Sequence, residues 1–402
     1  MLPTLSWIDY SDNDRRRMLG VIRGLDDQDT RDELGIGSIR DALADILFPG
    51  TSTIQTGVKY FLFVPWIYQR REERQTSPRD VAARLREDEM ALITALKAGG
   101  EGQGVIGIDA GRALKRLPSS IYWNGLRRWG IRRVPGSQAE YHRSLAWLYS
   151  RRRSAERNDD REPITDGHDV TWDPGLPPPE SGFLNSPITL SLNVDQAVYL
   201  KERILCACPS TLLAHMVGRD DASTLATFAW EHPVVLDLPA SLRRQLHHAQ
   251  RFSEVMHGAI LLYNAMMAEK GNATNLPYDY VDLTDKWSSD QVACLDELAE
   301  WSLPDFWRLL DEADARIPAS TRLFVEAWIG VARALPATGS VGQEAHARQL
   351  ISDREWHLKR QRARLHNPRH LEIWSGASGM AALDFRWSTA RPMLAEIQTG
   401  LP

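Results

Sequence analysis

Apolar residues recur at helical rather than strand spacing along most of the chain, in short amphipathic stretches separated by polar turns. Residues 11–24 predict a helix that Ser11 and Asp12 can cap, with Met18, Leu19 and Ile22 on one face. Ser38 caps a second helix reaching about Leu47, and Phe48, Pro49 and Gly50 stop it. A third is expected from Thr51 to about Tyr68, kinked or interrupted at Pro65. Residues 79–98 predict a helix with Val81, Leu85, Leu92 and Leu96 inward, ended by the glycine-rich turn at 99–102. A short apolar run at 105–108 precedes short helices at 111–117 and 120–129. Further helices are predicted at 191–206, 210–217, 224–231, 241–270, 289–313, 319–335, 341–365 and 379–399. No fixed-period repeat runs through them, which argues against a solenoid.

The pattern breaks at 151–185, where a run of charges gives way to Pro174, Pro177, Pro178 and Pro179. Such a stretch reads as a linker or long surface loop, exposed and poor in regular structure. The chain then divides into an N-terminal helical domain (1–150), this linker, and a C-terminal α-helical domain (186–402). The fold class is mainly α. The helix–turn–helix rhythm of the first part suggests a winged-helix-like module, with Val105, Ile108 and Val134 available for a small wing. Residues 29–68 read as one compact supersecondary unit whose tip is built to touch something.

Of the 402 residues 43% are hydrophobic and 25% charged, so the apolar content suffices for sizeable cores. A net charge of −5 excludes a basic nucleic-acid coat and confines any nucleic-acid site to a local patch. Cys206, Cys208 and Cys294 make no disulfide framework. With no signal-like N-terminus and no run near the roughly 20 apolar residues of a membrane helix, a cytoplasmic protein without membrane contact is expected. Fourteen tryptophans promise core pins and, for some, exposed anchors for a partner.

One patch satisfies the demand for local basic character. Arg112, Lys115, Arg116, Arg127, Arg128, Arg132 and Arg133 fall in a stretch without an acidic residue, interleaved with Tyr122, Trp123 and Trp129. Arginines suit phosphate through charge-assisted hydrogen bonds, and aromatic rings can stack on bases or anchor a protein. The competing reading buries Trp123 and Trp129 and pairs the arginines with neighbouring acids. A second basic run spans 354–369, where one helix would align Lys359, Arg362 and His366, usually as a solvated face.

Other patterns carry less. Gly35, Ile36, Gly37 and Ser38 before a helix resemble an anion loop but lack the Gly-Lys-Ser/Thr ending, so a close-packed turn is expected. Asp26, Asp27, Asp29, Asp32, Glu33, Asp41 and Asp45 could supply carboxylates for Mg²⁺, although capping and helix-dipole roles are commoner there. Cys206 and Cys208, with His215 downstream, lack a second pair at zinc spacing and read as buried small residues. His247, His248 and His257 lack a zinc-protease pattern and read as surface or cap residues. No catalytic residue, metal ligand or cofactor is assigned.

Three blocks carry a family resemblance: Ser6 to Tyr10 with residues 29–68; Arg251, Phe252 and Ser253 through His257 and Gly258 to Asn264; and Arg354 and Glu355 through Leu365 and Trp374 to Trp387. Together they resemble a bacterial domain-of-unknown-function family, number 6361, over nearly the whole chain. Genes of that family sit among restriction, helicase and phospholipase-D-like genes, so the resemblance implies a component of a phage-defence system. The first expectation is a non-catalytic nucleic-acid- or protein-binding subunit of an anti-phage system, with a helicase among its partner types. The alternatives are a divergent metal-dependent nuclease using the N-terminal carboxylates, and a structural adaptor.

Overall fold

The computed structural model describes residues 32–155, 170–219, 226–271 and 276–402. Fifteen α-helices and no strand occur among the described residues. In chain order they are α1 (Gly37–Leu47), α2 (Tyr60–Glu73), α3 (Val81–Ala98), α4 (Pro118–Arg128) and α5 (Gln138–Ala155). Then come α6 (Val194–Ala207), α7 (Leu212–Met216), α8 (Ala240–Lys270), α9 (Tyr280–Ala293) and α10 (Leu295–Glu300). The last are α11 (Leu303–Glu312), α12 (Ala319–Thr338), α13 (Ala345–Lys359), α14 (Pro368–Leu371) and α15 (Trp387–Gly400). The helix expected at 11–24 lies outside the described residues.

Two compact units form, and they interleave along the chain. One holds the described residues of Leu43–His247 and Asp384–Pro402, the other those of Met1–Ala42 and His248–Leu383. The described part of 151–185 is mixed: residues 151–155 continue α5 and Trp172, Phe183 and Leu184 are buried, whereas most of residues 174–182 are exposed and without helix or strand. The prolines there act as a strap. Pro177 accepts a hydrogen bond from the Trp66 indole at 2.7 Å, and the amide of Ile188 donates to Ala95 of α3 at 3.2 Å.

The first unit is built round α2. Every side chain from Tyr60 to Tyr68 is buried, so packing on all sides carries the helix through Pro65 to Glu73 despite the missing amide. The helix begins at Tyr60 rather than Thr51, because residues 51–59 form turns in which Gln55 bonds the Ser52 amide. Lys59, 1% exposed, neutralises its charge on Glu180 and on the Ser191 carbonyl, each at 2.7 Å. Helices α3 and α4 pack on α2, and α15 packs on α6. The wing expected near Val105–Ile108 is not formed. Those residues make turns, and Ile106 donates its amide to the Tyr60 hydroxyl at 2.9 Å.

In the second unit the part of α8 from His248 onward is the axis, burying Phe252, Val255, Met256, Leu262, Tyr263 and Met267. Gly258 admits the Trp287 ring of α9, whose atoms lie 2.2 Å from where a Cβ would stand. Helix α12 packs against α9 and α13.

Candidate nucleic-acid interface

Helix α4 lies between two clusters of cations, and its amphipathy fixes which side chains face out. Ser119, Tyr122, Trp123 and Leu126 are buried, and Gly125 lies in the same face. Ser120, Asn124, Arg127 and Arg128 are exposed at one-turn spacing. The buried face is tightly registered. Trp129, just past the helix end, stacks on Phe61 and donates its indole hydrogen to Pro49 at 2.9 Å. A Cβ on Gly125 would stand 2.4 Å from the Gly50 carbonyl oxygen, and one on Gly50 2.5 Å from the Trp129 indole nitrogen. The turn at Phe48, Pro49 and Gly50 thus contacts its own unit rather than an outside partner.

Helix α3 holds the other end. Arg86 donates to the carbonyls of Arg112 and Leu114, at 2.8 and 3.0 Å, and pins the loop leading into α4. Glu89, fully buried, accepts the Ser119 amide at 3.0 Å. Burial pushes its carboxyl up to about 7, only partly offset by its bonds to Ser119.

The seven basic residues separate by position. Arg112, Lys115, Arg127, Arg128 and Arg133 are exposed, and Arg116 is half-buried. Arg133 shares Asp173 with Arg203, at 3.0 and 2.9 Å. No carboxylate among the described residues lies within ion-pair distance of the other exposed four. Arg132 is withdrawn into the unit: 2% exposed, it lies over the Trp123 ring at 4.3 Å and donates to the Val134 and Gly136 carbonyls. Burial lowers its guanidinium to about 10, and it remains charged at neutral pH. Trp123, Trp129 and Tyr122 are core residues, so none offers a stacking face. The surface is therefore two basic clusters flanking an 11-residue helix, roughly 16 Å long by its axial rise.

The remaining sequence candidates fall elsewhere. The run at 354–369 is not one helix, because α13 ends at Lys359 and Arg360 turns with φ 52°. Lys359 is committed to Glu33, which also pairs with Arg364 at 3.0 Å. Glu355 accepts the Tyr263 hydroxyl at 2.6 Å and the amides of Arg364 and Leu365 at 2.8 and 2.9 Å. In the Gly35 loop Asp32 accepts the amides of Ile36 and Gly37, at 2.8 and 2.6 Å. Gly35, at φ +68°, brings its backbone against Arg354, as expected of a close-packed turn.

Each described carboxylate of the N-terminal set is engaged within its own unit. Asp32 caps α1, Glu33 is ion-paired, Asp41 bonds Arg40 and Asp45 bonds Arg386; Asp26, Asp27 and Asp29 lie outside the described residues. No three metal-ligating side chains cluster among the described residues. Cys208 is buried but Cys206 is exposed. His248 is not a surface residue: it is 4% exposed and accepts the Trp301 indole hydrogen at 2.9 Å. His257 meets the Met380 carbonyl at 3.1 Å.

Sequence reading missed two features. Ser352 Oγ lies 2.9 Å from His366 Nε2, beside a shallow pocket lined by Lys270 and Arg348. Those two cations are engaged by the Leu365 carbonyl and by Glu269, and no described carboxylate bonds the His366 ring. The second is Glu72, whose carboxylate collects Tyr141, Thr171, the Trp172 indole at 2.8 Å and Arg152 at 2.7 Å. These partners lie up to 100 residues away. Glu72 stands in a polar, charged run from Gln69 to Gln75, which gave no hint of an interior role.

The chain matches the family described as "Family of unknown function (DUF6361)" over residues 2–400, and it belongs to that family. No curated protein and no solved structure matches it. No helix of the described residues is long and apolar enough to cross a membrane.

Proposed function

We propose that the unit containing α4 binds nucleic acid through its backbone, without strong sequence preference, and that the protein acts as a non-catalytic subunit of a bacterial anti-phage system. The observation that carries the binding reading is the outer face of α4. Ser120, Asn124, Arg127 and Arg128 project from a helix whose other face is locked into the core. Arg112, Lys115 and Arg133 extend the positive charge beyond both ends. Leaving these cations mostly without carboxylate partners, in a protein of net charge −5, maintains local repulsion that an anionic ligand relieves.

Phosphates answer this arrangement because guanidinium groups bind them bidentately and because each contact releases counterions. Cations at both ends of α4 suit contacts to backbone on either side of a duplex groove. Ser120 and Asn124, between them, can bond sugar or phosphate oxygens without reading bases. A helicase of the same system is the proposed kind of protein partner, as the family resemblance implies. Fluorescence anisotropy with labelled duplex and single-stranded oligonucleotides at low and moderate salt tests the reading. Salt-sensitive binding that weakens in Arg127→Ala/Arg128→Ala is the expected result. Absence of binding at low salt would refute it.

A further inference from the structure

The tryptophan that can reach a partner is not in α4 but in α5. Trp147 is 51% exposed, the most open tryptophan among the described residues. Its place on the helix explains why. Tyr141, Leu145, Leu148 and Tyr149 form the buried stripe of α5, and Trp147 falls on the opposite face with Arg143 one turn before it and Arg151 one turn after. Arg143 is exposed, and the Arg151 guanidinium lies over the Trp147 ring at 5.0 Å. From Tyr141 to Arg152 the helix carries no acidic residue. The other exposed tryptophan, Trp356 at 41%, differs: the His366 ring packs against it at 5.1 Å and Asp353 lies on the preceding turn.

Leaving half an indole in water forgoes burial that such a side chain ordinarily gains. A flat apolar ring between two arginines matches a nucleobase joined to phosphates: the ring stacks on the base, and the guanidinium groups meet the backbone on either side. Bases in a duplex are stacked on each other and offer no free face. We infer that Trp147, with Arg143 and Arg151, is a stacking platform for an unpaired base, so that the substrate class of this unit is single-stranded nucleic acid or a duplex carrying a single-stranded segment. This rests on the proposed nucleic-acid reading of the same unit and adds to it a distinct element, α5, and a distinct preference. Helix α5 joins α4 through the Trp123 and Tyr141 rings, 5.6 Å apart, so the platform belongs to the same packed body as the basic clusters.

The test uses the full chain and anisotropy with labelled oligo-dT, which stays unpaired, and with a labelled duplex. Trp147→Ala should weaken oligo-dT binding about tenfold, the order of one lost base stack, and leave duplex binding unchanged. Trp147→Phe should recover part of the loss, since a smaller ring still stacks. An unchanged melting temperature is expected for both, because the side chain is half in solvent. If Trp147→Ala binds oligo-dT as the wild type does, the platform is refuted. That result, together with a loss in Arg127→Ala/Arg128→Ala, would leave the backbone-binding reading standing. Wild-type protein that binds neither probe refutes both. An equal loss on oligo-dT and duplex also refutes the platform, since it would mark Trp147 as a general support of the surface.

Discussion

The indole of Trp129 lies flat on the ring of Phe61, with centroids 3.7 Å apart and planes 12° from parallel. This one contact ties the end of α4 to α2 and decides what the basic stretch can be. It commits the aromatic residues of α4 to the interior and leaves the arginines beside them facing out. Trp129→Ala should therefore lower stability by about 3–5 kcal/mol, the range for deleting a buried aromatic ring. Urea denaturation monitored by circular dichroism measures it. A midpoint equal to the wild type's would contradict the contact.

Glu72 should be as costly to lose. Its truncation to alanine strands the Tyr141 and Thr171 hydroxyls and the Trp172 indole in a buried site. A destabilisation of about 3 kcal/mol is expected from breaking such a network. Glu72→Gln, which keeps two acceptor lone pairs but loses the charge that Arg152 meets, should cost less. If the alanine variant melts with the wild type, the carboxylate does not organise this corner of the unit.

Glu89 makes stability depend on pH in a defined direction. Its folded-state carboxyl sits at about 7, against 4.5 for the ordinary group. The folded protein thus holds the proton more tightly than the unfolded chain. Stability from this group is full below pH ~4.5, falls as pH rises, and levels off above ~7, a total of about 3 kcal/mol. Glu396, raised to about 7 by burial, acts in the same sense. Glu89→Gln keeps an oxygen for the Ser119 amide and removes the ionisation. It should be more stable than the wild type at pH 8 and similar at pH 4.5. Equal melting temperatures for the two at pH 8 would contradict the assignment.

The strap formed by residues 170–185 gives a prediction about dynamics. Asp173 donates its amide to Ile131, and Arg133 donates to Thr171, at 2.8 and 2.9 Å, on either side of buried Trp172. These amides should exchange slowly with deuterium, with protection comparable to that of α2. Exchange as fast as in a solvated linker would contradict this packing.

What could be read from sequence was local. The helices now seen as α3, α8 and α12 were legible because apolar residues repeat at helical spacing over several turns and the ends carry turn residues. Helix α5 was readable in principle from Tyr141, Leu145 and Leu148, and only its last residues, 151–155, fell within the charged run read as a linker. The start of α2 was placed too early because polar Thr51 to Thr56 look like a helix cap, whereas their side chains close turns instead. At the candidate site, basic character was legible but exposure was not. Arg132 and Arg133 are neighbours in sequence, yet one lies beneath Trp123, 9 positions away, and the other pairs with Asp173, 40 positions away, and only these contacts separate them. The exposure of Trp147 was hidden for the same reason: it is set by the partner helices, not by the residue's own neighbours.

The most direct test of nucleic-acid binding is the salt dependence of affinity, measured for the wild type and for Arg127→Ala/Arg128→Ala. On a duplex probe, five exposed cations engaging phosphates predict a slope of log affinity against log salt of roughly −4.5, at about 0.9 per phosphate. The double variant should reduce the magnitude of that slope by roughly 1.8 and weaken binding to unrelated sequences alike. A slope near zero, or one that the double variant leaves unchanged, would contradict backbone binding by the α4 surface.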